Sequence, residues 1–382
     1  MSTSTRASTS TSTNLSTAPL APLEVGTRLG RLQARLTDAE IDALLVTKLA
    51  NVRYLTGFTG SAGVLLVTRD RARFVTDGRY TQRAHEELEA AGVTAEIEIG
   101  LTGAAQRELL VAAVDPGARL GLEEHSVTWA QQIDYAAAFE GVDIMPAGEL
   151  VEALRRVKDA GEIDRIRRAC AIADDAFQSL LPMLGERPTE QAFALALEFA
   201  MRERGASGNS FDPIVASGPN GSKPHHVPSE RVIERNELVV CDFGCIVEGY
   251  CSDMTRTVSV GDPGPDARHL YEVVLESQAA GRAAVAVDVA CAAVDRASRD
   301  VIADAGWADA FSHSTGHGVG LEIHEAPRVA STAGDTLLLN DVVTVEPGVY
   351  LPGIGGVRIE DTLVVGADGS ETLTLTPKDL VL

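Results

Sequence analysis

The chain has 382 residues, 45% of them hydrophobic, and a formal charge of −22. That length accommodates two domains with separate cores, and no apolar run approaches the ~18 residues of a membrane span. The acidic balance argues against nucleic acid and anionic membranes as partners, because both require basic patches.

The N-terminus, MSTSTRASTSTSTNLSTAP, lacks the apolar stretch of a secretory signal. Its Ser/Thr repetition cannot build a core, so residues 1–22 are expected to be a disordered tail. An organellar transit peptide would need more Arg than Arg6 alone.

Helical patterning covers roughly 24–37, and ALLVTK (43–48) reads as a strand. GVLLVT (63–68) and ARFVTD (72–77) read as a hairpin around Arg69-Asp70-Arg71. A helix is expected from about Tyr80 to Ala91, a strand at RLGLEE (119–124), and another helix from near Ser126. This alternation predicts an α/β domain over 23–150.

From Gly148 to Leu184 the texture changes to long helical patterns, including EIDRIRRACAIADDAF (162–177). TEQAFALALEFAMRERG (189–205) reads as a further helix, followed by the glycine-rich loop ASGPNGSKPHH (216–226). The domain boundary is placed in the helical connection near 148–158, giving a second domain over 151–382.

Five cysteines, an odd number, offer no secreted disulfide framework and fit a reducing cytoplasm. Cys241, Cys245 and Cys251 cluster in sequence, so a zinc site is conceivable. Cys241 and Cys245 share a predicted strand with Asp242, however, where cysteine commonly serves as a small hydrophobe.

The chemistry concentrates after residue 239. ELVVCDFGCI (237–246) and YCSDMTRTVSV (250–260) are strand-like and flank Val247-Glu248-Gly249. A hairpin there would oppose residues whose numbers sum to about 495, which pairs Asp242 with Asp253. VVTVEPGVYL (342–351) and GVRIEDTLVV (356–365) predict a second hairpin, with Glu346 and Glu360 symmetric about Gly353. Carboxylates that close repel unless a cation lies between them. Between the hairpins, HSTGHGVGLEIHE (313–325) holds three of the chain's eight histidines. Imidazole is a common neutral metal ligand and proton shuttle. GHGVG (316–320) lacks the spacing and Lys of a P-loop.

Asp242, Asp253, Glu346 and Glu360 carry four negative charges, which two divalent ions would balance. With His317 they form an oxygen-rich set suited to Mn²⁺, Co²⁺ or Zn²⁺. Two such ions could share a hydroxide; a single ion using three or four of these ligands is the other reading.

These residues resemble the pita-bread metallopeptidase family, which includes aminopeptidase P, prolidase and methionine aminopeptidase. The similarity spans roughly 150–380 and includes all five metal positions. ANVRYLTGFTGSAG (50–63) and TDGRY (76–80) resemble the creatinase/prolidase N-terminal domain, which points to the proline-specific branch. The resemblance implies an α/β creatinase-like domain followed by an α+β pita-bread catalytic domain.

By the same resemblance, Asp242, Asp253, His317, Glu346 and Glu360 would hold two divalent ions, manganese first among the candidates. A bridging hydroxide would attack the carbonyl and Glu346 would accept its proton. His324 would stabilise the tetrahedral intermediate or contact the carbonyl oxygen, His225 would be the upstream active-site histidine, His313 would line the proline pocket, and Arg358 would hold the metal-site carboxylates or the substrate end. Tyr350 is a weaker candidate. His226 departs from the pattern, leaving open which imidazole faces inward; the spacing of 17 residues before Asp242 favours His225. The implied reaction is hydrolysis of Xaa-Pro bonds by a cytoplasmic homodimer. Aminopeptidase action is slightly favoured over strict dipeptidase action, with a non-catalytic peptide-binding module as a remote alternative.

Overall fold

A computed structural model describes residues 18–382. Of the tail expected over 1–22, residues 1–17 lie outside the described residues. The described chain forms two compact units: residues 21–161, and residues 162–382 together with 18–20.

Six strands build one mixed sheet in the first unit. They are β1 (Ala43–Val46), β2 (Val64–Thr68), β3 (Ala72–Thr76), β4 (Glu96–Ile99), β5 (Arg119–Leu122) and β6 (Asp143–Pro146). Their order is β4-β3-β2-β1-β5-β6. β2 and β3 form the expected hairpin, with Val67 facing Ala72. β1 lies between antiparallel β2 and parallel β5 and is buried at every position, so its sequence runs apolar without alternating. The helix Val25–Asp38 buries Val25, Leu29, Leu32 and Leu36, a stripe at helical spacing.

Two local features depart from expectation. The helix expected near Ser126 starts at Trp129, because Thr128 and Gln131 close a capping box. A helix over Leu49–Thr56 is additional, and it stops at Gly57, whose φ is +74°. This helix carries Asn51, whose Nδ2 donates to Glu123 and Glu152, each at 2.7 Å. Arg155 Nη1 donates to Asn51 Oδ1 at 2.6 Å, and Arg28 pairs with Asp159 at 2.6 Å. These contacts keep the helix Glu152–Arg156 in the first unit, whereas the sequence places the second domain from residue 151.

The second unit carries strands β7 (Gly208–Asn209), β8 (Ile214–Ser217), β9 (Val239–Phe243), β10 (Cys245–Val247), β11 (Tyr250–Cys251) and β12 (Met254–Val258). After two helices, Pro265–Ala283 and Cys291–Asp304, come β13 (Gly316–Gly318), β14 (Glu325–Val329), β15 (Val342–Val345), β16 (Gly348–Leu351), β17 (Gly355–Arg358), β18 (Asp361–Gly366) and β19 (Gly369–Thr372). The ladders are β11-β10-β7, β12-β9-β8, β14-β13-β15-β18-β19 and β16-β17. Phe177, Phe193 and Phe243 anchor a core beneath β9, with Phe177 stacked on Phe243 at 5.0 Å.

The first hairpin has a different register from the one expected. Asp242 faces Thr255, not Asp253. The turn contains only Glu248 and Gly249, at φ +45° and +88°, so opposed residues such as Ile246 and Cys251 sum to 497. Gly244 interrupts the strand, and a Cβ there would lie 1.9 Å from the Ser252 carbonyl oxygen. Asp253 is therefore the diagonal neighbour of Asp242 rather than its partner.

The second hairpin has the expected symmetry about Gly353. Val345 faces Asp361 and Gly348 faces Arg358. Glu346 and Glu360 lie in the gap between these two ladders. There the Glu346 N–H donates to the Thr315 carbonyl at 2.8 Å and the Glu360 N–H to the Thr255 carbonyl at 3.1 Å.

Candidate metal centre

These strands enclose a cavity of about 630 Å³. Asp242, Asp253, His317, Glu346 and Glu360 all line it, as do His225, His313, His324, Tyr350 and Arg358. β9 supplies Asp242, β13 supplies His317 and β17 supplies Arg358. Asp253 precedes β12, while Glu346 and Glu360 come from the gap between ladders.

Thr255, the residue facing Asp242, links two of these groups. Arg358 Nε donates to Thr255 Oγ1 at 3.1 Å, and Thr255 Oγ1 donates to Glu360 Oε2 at 2.8 Å. Arg358 Nη2 donates to Asp242 Oδ2 at 2.6 Å, which fixes that carboxylate in a charge-assisted bond.

The donor set fits a divalent cation. Asp242 Oδ1 and Glu360 Oε1 are buried and accept no hydrogen bond among the described residues. Orphaned buried acceptors are costly unless something positive satisfies them. Asp253, His317 and Glu360 bring ligand atoms within 4.8 Å of one another. Burial, reinforced by the neighbouring carboxylates, pushes the Asp253 and Glu360 carboxyls well above their usual range. Burial, with the Asp242 charge, raises Glu346 to about 8.

The histidines divide by role. His317 Nδ1 faces the Gly318 carbonyl at 3.0 Å, which leaves Nε2 for the cavity, 3.4 Å from Glu346 and 3.5 Å from Asp253. Burial lowers His317 to about 4, so its Nε2 is an unprotonated donor near neutral pH. His313 is lowered to about 4 by burial and by the Arg358 charge. With its Nδ1 proton on the Ser314 carbonyl, its Nε2 accepts from the Tyr350 hydroxyl at 2.9 Å. Tyr350 in turn accepts from Arg358 at 2.6 Å. The His324 ring meets His317 edge-on, with centroids 4.4 Å apart.

His225 lines the cavity, whereas His226 Nε2 lies 2.8 Å from a carboxylate oxygen of Glu190. Glu190 is fully buried and also accepts from Ser217, Asn220 and Ser229. Burial alone would raise its carboxyl, but bonds from Ser229, Ser217 and His226 outweigh that and hold it at about 2. The ordinary value is 4.5, so the stabilisation is complete above that pH and is lost as pH falls toward about 2. Glu190→Gln is expected to lower the urea midpoint at pH 7, and its deficit to shrink steadily below pH 4.5. An equal deficit at pH 7 and pH 3 would contradict this linkage.

Sequence reasoning missed Arg328, an exposed residue of β14 that lines the cavity and has no ion-pair partner among the described residues. A lone arginine on a strand carries no motif that would single it out. Phe211 and Ile214, also missed, add apolar lining. The cysteines are all free and buried, and among the described residues none joins a candidate metal cluster.

Buried carboxylates around an unprotonated imidazole, lining a substrate-sized cavity, fit the site of a metal-dependent hydrolase. The family model for metallopeptidase family M24 matches residues 164–367, and that for the creatinase/prolidase N-terminal domain matches residues 28–157. The chain belongs to metallopeptidase family M24, in its proline-specific pita-bread branch. The peptidase YqhT of Bacillus subtilis is 42% identical over 93% of this chain and 99% of its own length. A solved Xaa-Pro dipeptidase from Bacillus anthracis is 40% identical, with TM-score 0.88, over 94% of this chain and 100% of that one. An X-Pro aminopeptidase structure from Thermotoga maritima is 34% identical, with TM-score 0.82, over 92% and 99%. Among the described residues no helix is long and apolar enough to cross a membrane.

Proposed function

We propose that this chain hydrolyses Xaa-Pro bonds, with dipeptides as its preferred substrates. The observation that carries the reading is a cavity holding buried, unsatisfied carboxylate oxygens and lined by Arg328, which has no ion-pair partner among the described residues. Proline nitrogen carries no N–H and its ring fixes φ, so backbone-reading proteases handle this bond poorly. Asp242, Asp253, His317, Glu346 and Glu360 would hold two divalent ions. Such ions would supply a polarised carbonyl and an acidified water. Glu346 takes up the proton released on attack. His324 and His225 donate to the oxygen that gains charge, and Arg358 keeps Asp242 in place. Arg328 pairs with the carboxylate that a dipeptide ends on, which tips the choice from aminopeptidase toward dipeptidase. The name of the Bacillus anthracis relative supports the same choice.

The second reading, an Xaa-Pro aminopeptidase, is supported by the Thermotoga maritima structure's name. One experiment separates them. The metal-reconstituted chain is given an Xaa-Pro dipeptide beside a matched Xaa-Pro-Yaa-Yaa peptide, with Arg328→Ala in parallel. Dipeptide preference is expected, and Arg328→Ala is expected to raise KM for the dipeptide at least about tenfold. Equal cleavage of the longer peptide favours the aminopeptidase. No cleavage with manganese, cobalt or zinc sinks both.

Manganese, a cytoplasmic location and a homodimer complete the proposal. Oxygen-rich ligation supports the first and five buried free thiols the second. Exposed Trp129 and Ile133 on the first unit support the third. Metal analysis, cell fractionation and sedimentation velocity test them.

A further inference from the structure

We propose that Glu190 and His226 are positioning residues that hold His225 in the metal cavity. His225 makes no hydrogen bond among the described residues, so its own side chain does not fix its place. Its neighbours do. The His226 N–H donates to the Lys223 carbonyl at 3.2 Å, closing a turn with Pro224 and His225 at its corners. Pro224 and His225 face the cavity, and the Pro224 carbonyl accepts from Arg358 Nη1 at 3.5 Å. His226 faces the other way, onto Glu190 at 2.8 Å. Anchoring one imidazole of this adjacent pair therefore orients the other.

The anchor grips both ends of the segment. Glu190 Oε1 accepts from the Ser217 N–H at 2.8 Å and the Ser217 hydroxyl at 2.7 Å, where the loop begins. Glu190 Oε2 accepts from the Ser229 N–H at 3.1 Å and the Ser229 hydroxyl at 2.6 Å, where it ends. Asn220 Nδ2 donates to both oxygens. Arg231 ties the start of the loop further, donating to Ser217 Oγ at 2.5 Å while paired with Glu237. A buried carboxylate with this many donors is more than packing requires, and the segment it closes is the one that delivers His225.

The kinetic test rests on the Xaa-Pro reading; the structural test does not. In the metal-loaded full chain, His226→Ala and Glu190→Gln are each expected to lower kcat/KM about 10- to 100-fold, mainly through kcat. In a His225→Ala background neither should cost more than about twofold, because the residue they position is gone. Additive losses in the double variants would overturn the proposal. Crystal structures of His226→Ala are expected to place the His225 imidazole outside the cavity, and an unmoved His225 would also overturn it. Should Glu190→Gln fail to fold, His226→Ala, at the margin of the network, decides alone. A wild-type chain that cleaves no Xaa-Pro peptide removes the substrate reading and leaves the crystal structures to decide on positioning.

Discussion

Asp253→Asn is expected to abolish hydrolysis and, in the metal-free protein, to raise the melting temperature. The two effects have one cause. Asp253 is buried beside Glu360, Asp242 and Glu346, and burial followed by those charges drives its carboxyl well above 3.8. Without a cation, folding therefore draws the group toward its protonated form, at a pH where the unfolded chain holds it ionised. A carboxyl raised on folding costs stability increasingly as pH climbs above its unfolded value. Asparagine has the same shape and no charge, so the cost disappears and the metal-free variant melts higher than wild type. With metal the order reverses. Wild type gains about 2.7 kcal/mol from a ligand at a hundred times its Kd, and the variant does not. Differential scanning calorimetry with and without manganese at pH 6, 7 and 8 would show the crossing, widest at pH 8 for the metal-free pair. Hydrolysis should fall by at least about 10³, since a ligand is lost along with the ion it holds. A metal-free variant no more stable than wild type would falsify the claim that these carboxylates are held together against their own repulsion.

The same repulsion explains what the sequence disclosed and what it hid. Four acids at glycine-punctuated strand ends are legible because they are out of place in apolar runs: VVCDFG and VVTVEP put charge where a strand wants none. Symmetry about Gly353 was legible too, since Pro352-Gly353-Ile354-Gly355 centres the hairpin and both ladders keep its register. The Asp242 hairpin was not. Its turn uses Glu248 at positive φ, a conformation glutamate seldom adopts, and Gly244 breaks the strand beside Ser252. The two-residue slip puts Thr255 opposite Asp242, so a hydroxyl that relays between Arg358 and Glu360 went unnoticed. The choice between His225 and His226 depends on Glu190, which lies far earlier in the chain and carries no motif. Arg328 is hidden for the same reason: its position matters only once β14 folds against the cavity. In the first unit, the short helix Leu49–Thr56 hides because eight residues give too few turns for periodicity to register.

Glu346→Gln is expected to separate metal binding from proton transfer. Glu346 lines the cavity, with one carboxylate oxygen 3.4 Å from His317 Nε2 and 3.4 Å from the Thr344 hydroxyl. Its backbone N–H is held by the Thr315 carbonyl at 2.8 Å, so substitution should leave the side chain aimed as before. Burial, with the Asp242 charge, lifts its carboxyl to about 8, a proton affinity far above that of an exposed glutamate. That affinity is the metal-free chain's, in which the carboxyl holds a proton at neutral pH; beside bound cations it would be ionised, and could then take a proton during attack and return it to the leaving nitrogen. Glutamine keeps a carbonyl oxygen for the cation but cannot accept the proton. kcat is therefore expected to fall about 10²- to 10⁴-fold, the range of a lost general base, while KM stays within about threefold. Manganese should still raise the melting temperature of this variant, unlike that of Asp253→Asn, because Asp253 and not Glu346 belongs to the trio, with His317 and Glu360, whose ligand atoms lie within 4.8 Å of one another. The contrast is the informative part. If Glu346→Gln loses the metal-induced stabilisation entirely, Glu346 acts as a ligand before anything else, and the proton must go to another group lining the cavity, with His324 the next candidate. If it keeps both the stabilisation and most of its turnover, the base is not Glu346, and the raised proton affinity of this carboxyl reflects only the crowding of buried acids around it.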